Sequence, residues 1–238
     1  MTQTSVRENL LRIQERIAQA ANRAGRGAEE ITLIGVSKTQ PASAIREAYE
    51  AGVRHFGENR VQEWEGKRTG TDGLAAKWHL IGHLQSNKTA RAARLFHNID
   101  SVDDFATAQR LDRARAEAGI ASKLRVLIEV RVAPEETKSG VEVNELSALA
   151  ERVADLTRLE LAGLMCIPPF VEKAEQVRPY FGRLRELRDE LSGKLGIALL
   201  VLSMGMSHDF EVAIEEGATE VRVGTALFGQ RGIQIVCQ

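Results

Sequence analysis

The chain has few of the residues on which disulfide-rich, metal-stapled or membrane proteins depend. Its 238 residues include two cysteines, Cys166 and Cys237, which are too few and too far apart for a disulfide framework or a zinc site. No apolar run approaches the ~20 residues of a membrane helix, and the charged amino terminus is not that of a signal peptide. Lysine plus arginine number 32 and acidic residues 33, so the basic excess of nucleic-acid-binding proteins is missing. We expect a cytoplasmic protein that binds neither membrane nor nucleic acid.

Apolar runs alternate with helical patterns along the chain after an amphipathic helix over residues 5–24. Eight strands, each leading into a helical or connecting segment, predict a single (β/α)8 TIM-type barrel with an extra amino-terminal helix. A doubly wound open sheet is the alternative, because alternation does not decide closure. No linker interrupts the pattern, so residues 1–238 are predicted to form one domain. The predicted strands are 31–37, 53–57, 78–82, 95–100, 124–131, 159–167, 198–203 and 220–224, and the predicted helices between them are 41–51, 59–68, 85–94, 103–118, 143–156, 172–192 and 208–216.

The first strand ends in a lysine, Lys38. Loss of hydration at a strand end disfavours the charged amine, and a neutral lysine can attack an aldehyde to form a Schiff base. A strand-end lysine that only reaches solvent is the simpler alternative.

Glycine and hydroxyl residues follow the seventh and eighth strands, at residues 202–207 (Leu-Ser-Met-Gly-Met-Ser) and 222–226 (Arg-Val-Gly-Thr-Ala). In (β/α)8 barrels these two loops commonly bind phosphate on backbone N–H groups. A Schiff-base lysine opposite a phosphate site predicts pyridoxal 5′-phosphate (PLP), which carries an aldehyde and a phosphate on one ring. A barrel that acts on a sugar phosphate through an aldolase-type Lys38 is the alternative.

Arg222 lies between two valines of the last strand. A charge among the outer helices would cost several kcal/mol unless paired, so we expect its side chain inside the barrel, near the pyridine nitrogen of PLP. An arginine there keeps that nitrogen unprotonated and weakens the electron sink. A core arginine satisfied by a carboxylate such as Glu129 is the alternative.

At these residues the chain resembles the pyridoxal phosphate homeostasis protein family, whose barrel is similar to the amino-terminal domain of alanine racemase. The resemblance extends over about residues 6–231. The segments that carry it are 35–39 (Gly-Val-Ser-Lys-Thr), 55–59 (His-Phe-Gly-Glu-Asn), 61–63 (Val-Gln-Glu), 78–82 (Trp-His-Leu-Ile-Gly), 84–88 (Leu-Gln-Ser-Asn-Lys), 138–141 (Lys-Ser-Gly-Val), 163–165 (Gly-Leu-Met), 202–207 and 221–229.

The resemblance implies PLP as cofactor, with Lys38 as the aldimine lysine. It places Arg222 at the pyridine ring and Asn59 at the mouth of the site. It also implies a set of residues around the phosphate: Ser203, Gly224 and Thr225 in contact with it, and Met204 and Gly205 lining that end. The chain departs from the family at three places and keeps all of these contacts: Gln40 stands for a common lysine, Arg60 for a common tyrosine, and residues 208–210 (His-Asp-Phe) for Ala-Asp-Met or Ala-Asp-Leu.

The family resemblance and the weak electron sink favour a carrier over an enzyme. Alanine racemases use a tyrosine from a second domain as the opposing base, and this chain ends soon after the eighth strand. Its two tyrosines, Tyr49 and Tyr180, fall in predicted outer helices. We therefore expect a monomeric, non-catalytic PLP reservoir that hands cofactor to apo PLP enzymes. The alternative is a weak PLP-dependent amino-acid racemase or another PLP enzyme.

Three other groups are assigned no chemistry. His79 and His83 are spaced to share one face of a strand, but a convincing third metal ligand is not apparent, so no metal site is predicted. Lys138 is a candidate second amine near the mouth or else a solvated loop lysine. Cys166 lies in an apolar run and is expected to be a buried, inert thiol.

Overall fold

The amino-terminal helix forms because its ends are capped and its apolar side chains share one face. The computed structural model describes residues 5–133 and 139–229. In it α1 (Val6–Arg23) begins after Ser5, whose hydroxyl accepts a hydrogen bond from the Glu8 amide. Its buried side chains recur at three- and four-residue steps, as predicted for residues 5–24, and they are Val6, Leu10, Ile13, Ile17, Ala20 and Ala21.

Eight parallel strands close into a barrel. The sheet runs β4-β3-β2-β1-β9-β8-β7-β5, and a further pairing between β4 and β5 joins its two ends. Closure confirms the (β/α)8 prediction, and the open-sheet alternative is wrong. A short additional strand, β6, pairs with the end of β5. The strands are β1 (Thr32–Val36), β2 (His55–Glu58), β3 (Lys77–Leu80), β4 (Asn98–Val102), β5 (Leu124–Arg131), β6 (Val141–Glu142), β7 (Leu159–Met165), β8 (Val201–Met206) and β9 (Glu220–Val223).

Helices surround the barrel and cover its outer face. They are α2 (Ala42–Ala51), α3 (Val61–Arg68), α4 (Thr89–Leu95), α5 (Phe105–Glu117), α6 (Val143–Ala154), α7 (Arg178–Leu195), α8 (Phe210–Glu215) and α9 (Thr225–Phe228), with 3₁₀ turns at Ala28–Glu30, Thr69–Thr71, Ser86–Lys88 and Ala174–Val177. Over residues 5–133 and 139–229, no helix is both long and apolar enough to cross a membrane.

Several element boundaries differ from those predicted, and two of the differences bear on the site or have a clear local cause. The helix predicted for residues 172–192 begins at Arg178, with Pro179 in its first turn, where a missing N–H breaks no helical bond. It continues to Leu195 and is ended by Gly196, in the left-handed conformation at φ +64°. The strand predicted for residues 198–203 runs from Val201 to Met206, so the first phosphate-loop residues are still part of the strand.

The barrel interior is separate from the main hydrophobic core. The large apolar cluster lies between sheet and helices and includes Phe56, Met204, Val221 and Val223. Inside the barrel, Arg125 of β5 donates a 3.0 Å hydrogen bond to Glu220 of β9. Because β5 and β9 are not neighbours in the sheet, this bond crosses the interior.

Candidate functional site

The predicted amine and the two predicted phosphate loops meet at one edge of the barrel, which we call the upper rim. Lys38 follows β1, and Gly224 follows β9, the strand that pairs with β1 in parallel register. A Cβ added to Gly224 would lie only 3.4 Å from the Cβ of Val36. Strand β8, which pairs with β9, ends at Met206. Lys38 is half-buried there, which fits a side chain that leaves the sheet at the mouth.

Two backbone amides converge on one point of the upper rim. The N–H groups of Gly224 and Ala226 both donate to the hydroxyl oxygen of Ser207, at 3.3 and 3.4 Å. Amides that share one acceptor offer the paired donors that an anion needs. We call these two N–H groups and the Ser207 hydroxyl the amide cradle. Thr225, between the two amides, is exposed.

Gly205, the residue before the last one of β8, allows the chain to turn towards α8. Its φ is +90°, and an added Cβ would lie 2.5 Å from the Cβ of Ala213 and 2.9 Å from the Cα of Phe210. A side chain cannot be accommodated there without moving the backbone of α8. Glycine at this position therefore allows the strand to turn directly into α8.

Arg222 lies inside the barrel, as strand alternation predicts. It is two residues beyond the inward-facing Glu220 and 3% exposed. Its guanidinium donates to the Ser203 hydroxyl and to the Cys166 carbonyl, both at 2.8 Å. The hydrogen bonds found for Arg222 thus go to neutral groups rather than to Glu129.

Two residues expected at the phosphate have side chains engaged elsewhere. The Ser203 hydroxyl is fully buried and accepts from Arg222. Met204, also fully buried, packs into the core between the sheet and the helices. Only the backbone of Met204 is therefore left to contact a ligand.

Asn59 lies just after β2, beside Gly82, which follows β3. It is half-buried, and a Cβ on Gly82 would lie 2.5 Å from its carbonyl oxygen. Together they line an open cavity of about 660 Å³, with Arg60 and Gln85 among its walls. The rim substitution Arg60 is exposed at this cavity.

Glu129 is a buried carboxyl near Arg222 at the end of β5, 4% exposed. Burial, reinforced by the charge of Asp103, raises its pKa to about 7, although the charges of Arg222 and His83 act in the opposite direction. A carboxyl with this pKa can hold a proton near neutral pH, where an exposed glutamate is ionised.

Cys166 is fully buried, as expected, and burial raises the pKa of its thiol to about 12. A thiol in this state is a poor nucleophile. Lys138, the candidate second amine, lies outside the described residues.

His79 and His83 do not form a pair. His79 is fully buried, whereas the His83 side chain is 58% exposed and lies 3.3 Å from Asp103. His79 instead comes together with Asp100 and Glu220, whose ligand-type atoms all lie within 4.8 Å of one another. Both ring nitrogens of His79 have partners, at 2.9 Å from Asp100 and 2.9 Å from His55.

Two groups of polar contacts were not predicted from the sequence. The Ser207 hydroxyl, in the quoted segment 202–207, is the acceptor of the amide cradle. Behind Lys38, the ammonium of Lys67 contacts both Glu58 and Glu63. The sequence signal for the second group was the pair Glu58 and Glu63, with Lys67 one helical turn after Glu63.

The upper rim offers what PLP requires: a lysine beside an amide cradle, with a buried arginine beneath. Gly224 and Ala226 could hold the phosphate, and Lys38 could hold the aldehyde. The barrel and this arrangement define a protein of the alanine racemase N-terminal type, and residues 9–232 match the family "Alanine racemase, N-terminal domain".

Full-length relatives identify the group within that class. The chain is 50% identical over 224 residues to the pyridoxal phosphate homeostasis protein of Aquifex aeolicus, covering 94% of this chain and 97% of that protein. PipY of Synechococcus elongatus, solved with PLP bound, is 42% identical with a TM-score of 0.80, covering 90% of this chain and all of that one. Alanine racemase of Clostridium difficile shares the fold, with a TM-score of 0.75, 16% identity and coverage of 97% of this chain and 61% of that one. The chain belongs to the pyridoxal phosphate homeostasis protein family.

Proposed function

We propose that this chain binds PLP at the upper rim and acts in PLP homeostasis as a cofactor reservoir and carrier without robust catalysis of its own. One observation carries the proposal: Lys38 follows β1, and the amide cradle includes Gly224, which follows the adjacent strand β9. PipY, a relative with the same barrel, was solved with PLP bound.

The attachment proposed for PLP is covalent and reversible. The Lys38 amine adds to the aldehyde carbon, a carbon–nitrogen double bond forms, and the aldehyde oxygen leaves as water. Hydrolysis reverses each bond change, so the cofactor can be released to an apo PLP enzyme. The Gly224 and Ala226 amides would hold the phosphate, Thr225 and Gly205 would border it, and Asn59 would stand at the mouth.

Arg222 supports binding over catalysis. PLP enzymes that stabilise carbanions strongly hold the pyridine nitrogen protonated, usually with an acidic partner. The interior group proposed to face this nitrogen is a permanently charged guanidinium that donates hydrogen bonds. It disfavours a proton on the nitrogen and so weakens the electron sink.

The tyrosines also support binding over catalysis. Tyr49 and Tyr180 lie in the outer helices α2 and α7, and Tyr49 stacks under the guanidinium of Arg54 at 4.2 Å. Neither belongs to the upper rim. A racemase needs a second positioned acid or base, a group worth about 10²–10⁴-fold in rate.

The site assignment is tested by absorbance and chemical trapping. Protein reconstituted with PLP should show the absorbance of a lysine-bound cofactor, and borohydride reduction followed by peptide mapping should place the cofactor on Lys38. Lys38→Ala should abolish the absorbance and remain folded. Lys123→Ala, an exposed lysine just before β5, is the matched control and should behave as wild type. Cofactor mapped to Lys138 would contradict the assignment.

The carrier role is tested by turnover and transfer. Racemisation, transamination and decarboxylation are assayed with saturating PLP, and we expect turnover far below roughly 1 s⁻¹, an ordinary lower value for enzymes. Loaded protein should reactivate an apo PLP enzyme. Turnover at or above that rate would show that the chain is an enzyme, such as the racemase considered as the alternative.

We further propose that the chain is a single folding unit and a monomer in the cytoplasm. Support comes from α1, which buries its apolar face against the barrel and its helices rather than leaving it for a partner. Light scattering after gel filtration should give the monomer mass of 26.2 kDa, and a dimer mass would contradict this part of the proposal.

A further inference from the structure

Lys67 of α3 has all its donors engaged just behind the end of β1. Its ammonium contacts the Ser37 carbonyl at 2.8 Å, Glu63 Oε1 at 2.7 Å and the Glu58 carboxylate at 3.0 and 3.2 Å. An ammonium group has three N–H donors, and three separate groups surround this one. Lys67 is therefore held in place as a cation. We call Lys67, Glu58 and Glu63 the Lys67 cluster.

The residue before Lys38 is fixed by this cluster. Ser37 is fully buried, its hydroxyl donates to Glu58 Oε1 at 2.7 Å, and its carbonyl accepts from Lys67. Its amide also donates to the Gly57 carbonyl at 3.0 Å. The three polar groups of Ser37 are thus bonded to β2 or to the cluster.

The residue after Lys38 is fixed by the same cluster. The Thr39 amide donates to Glu63 Oε1, the atom that also accepts from Lys67. Thr39 has a φ of +64°, in the left-handed region that β-branched residues rarely adopt. The hydrogen bond from the Thr39 amide to Glu63 helps to hold the Thr39 backbone in this unfavourable conformation.

The electrostatics of the cluster depend on Lys67. Burial raises the pKa of Glu58, while the Ser37 hydroxyl and Lys67 act against that rise. Burial alone would also raise the pKa of Glu63, but hydrogen bonds from Lys67 and the Thr39 amide outweigh it and the net shift is downward. Without Lys67, two neighbouring acidic groups would lose their shared cation, and the Ser37 carbonyl would lose a donor.

We propose that Lys67 is a positioning residue, which acts through Glu58 and Glu63 to hold the backbone on both sides of Lys38 in the geometry for attack on the aldehyde of PLP. The inference rests on the proposed function, since it concerns the same lysine. It assigns Lys67 no contact with the cofactor. Loss of Lys67 should therefore impair capture of the aldehyde and spare recognition of the phosphate and ring.

The test compares two ligands in Lys67→Met. Pyridoxine 5′-phosphate has the ring and phosphate of PLP but lacks the aldehyde, so its affinity reports the rest of the site. We expect the dissociation constant for PLP to rise at least about tenfold, because small misplacements of a reacting group are expensive. The dissociation constant for pyridoxine 5′-phosphate should change less than about twofold, and the borohydride-trapped fraction at Lys38 should fall in parallel with PLP affinity.

Two further variants make the result interpretable. Arg68→Met removes the neighbouring exposed cation of α3 and should leave both affinities as in wild type. Glu63→Ala removes the acceptor of the Thr39 amide, and the Glu63 side chain is 26% exposed. If Lys67→Met does not fold, Glu63→Ala should show the same selective loss of affinity for PLP.

The outcomes separate this inference from the proposed function. Equal weakening of both ligands would show a general structural role, and no change in PLP affinity would show no role; either overturns the inference while Lys38 trapping in the wild type still supports the proposed function. Failure to trap cofactor on Lys38 in the wild type would overturn the proposed function and this inference with it.

Discussion

Gly205 and Gly224 border the same proposed phosphate position, but an added side chain would meet different surroundings at the two residues. At Gly205, φ is +90° and an added Cβ would lie 2.5 Å from the Cβ of Ala213 and 2.9 Å from the backbone of Phe210. At Gly224, φ is −110°, and the nearest atom to an added Cβ is at 3.4 Å. Gly205→Ala should therefore destabilise the fold, whereas Gly224→Ala should leave it nearly unchanged.

The magnitude for Gly205→Ala follows from two contributions. Placing a Cβ in the left-handed region costs roughly 1–2 kcal/mol, and forcing a methyl group into a packed site costs about 1–3 kcal/mol. Together they predict a loss of about 2–5 kcal/mol in the free energy of unfolding. For Gly224→Ala, ordinary van der Waals contact and an accessible φ predict a change below about 1 kcal/mol.

The assay is urea unfolding monitored by tryptophan fluorescence. The chain has two tryptophans, Trp64 and Trp78, which stack with ring centroids 3.6 Å apart in the core on the α3 and β3 side, outside the two loops. The same two variants are then titrated with pyridoxine 5′-phosphate. Gly224→Ala should weaken this ligand without a loss of stability, because glycine allows the closest approach of a ligand to the backbone. The reasoning is refuted if Gly205→Ala costs less than 1 kcal/mol, or if Gly224→Ala costs as much as Gly205→Ala.

Two buried groups of the upper barrel give further predictions. The pKa of Glu129 is raised to about 7 by burial, above its value of about 4.5 in the unfolded chain, so the folded state binds the proton more tightly and stability should fall as pH rises from 4.5 to 7. Because one pKa unit corresponds to about 1.4 kcal/mol, Glu129→Gln should remove a pH dependence of up to about 3 kcal/mol in urea titrations; an unchanged pH profile would contradict the shift. Cys166, with its pKa raised to about 12 by burial, should resist iodoacetamide in native protein of a Cys237→Ala background and react once urea is added; rapid native labelling would contradict its burial.

Periodicity predicted the parts of the site that depend on strand order and side-chain alternation. In a closed barrel, parallel strands bring the residues at their carboxyl ends to one rim, and these residues include Lys38, Arg222 and Gly224. Alternation along β9 turned Arg222 inward between two outward-facing valines. The same alternation turns Met204 outward, because its neighbour Ser203 faces Arg222. The outward direction of Met204 was not predicted, because the extension of β8 to Met206 was not predicted either.

Contacts that depend on the rotation of a helix were not predictable in this way. Lys67 reaches Ser37 across thirty residues of chain, and that contact requires a particular face of α3 to point at the end of β1. The short α3 has Val61 and Trp64 as its buried side chains, too few to fix its rotation from apolar spacing. The convergence of two amides on Ser207 likewise depends on loop conformation rather than on the spacing of residues.

The site, as proposed, favours holding an aldehyde over activating the α-carbon of an amino acid joined to it. Reversible capture requires an amine in a fixed position and donors for a phosphate, and the chain provides these with Lys38 between two bonded neighbours and with the amide cradle. Strong stabilisation of a carbanion requires in addition a protonated ring nitrogen, and racemisation requires an opposing acid or base. Arg222, bonded to Ser203 and Cys166, opposes the first requirement. The tyrosines do not meet the second requirement, because Tyr49 and Tyr180 lie in the outer helices α2 and α7.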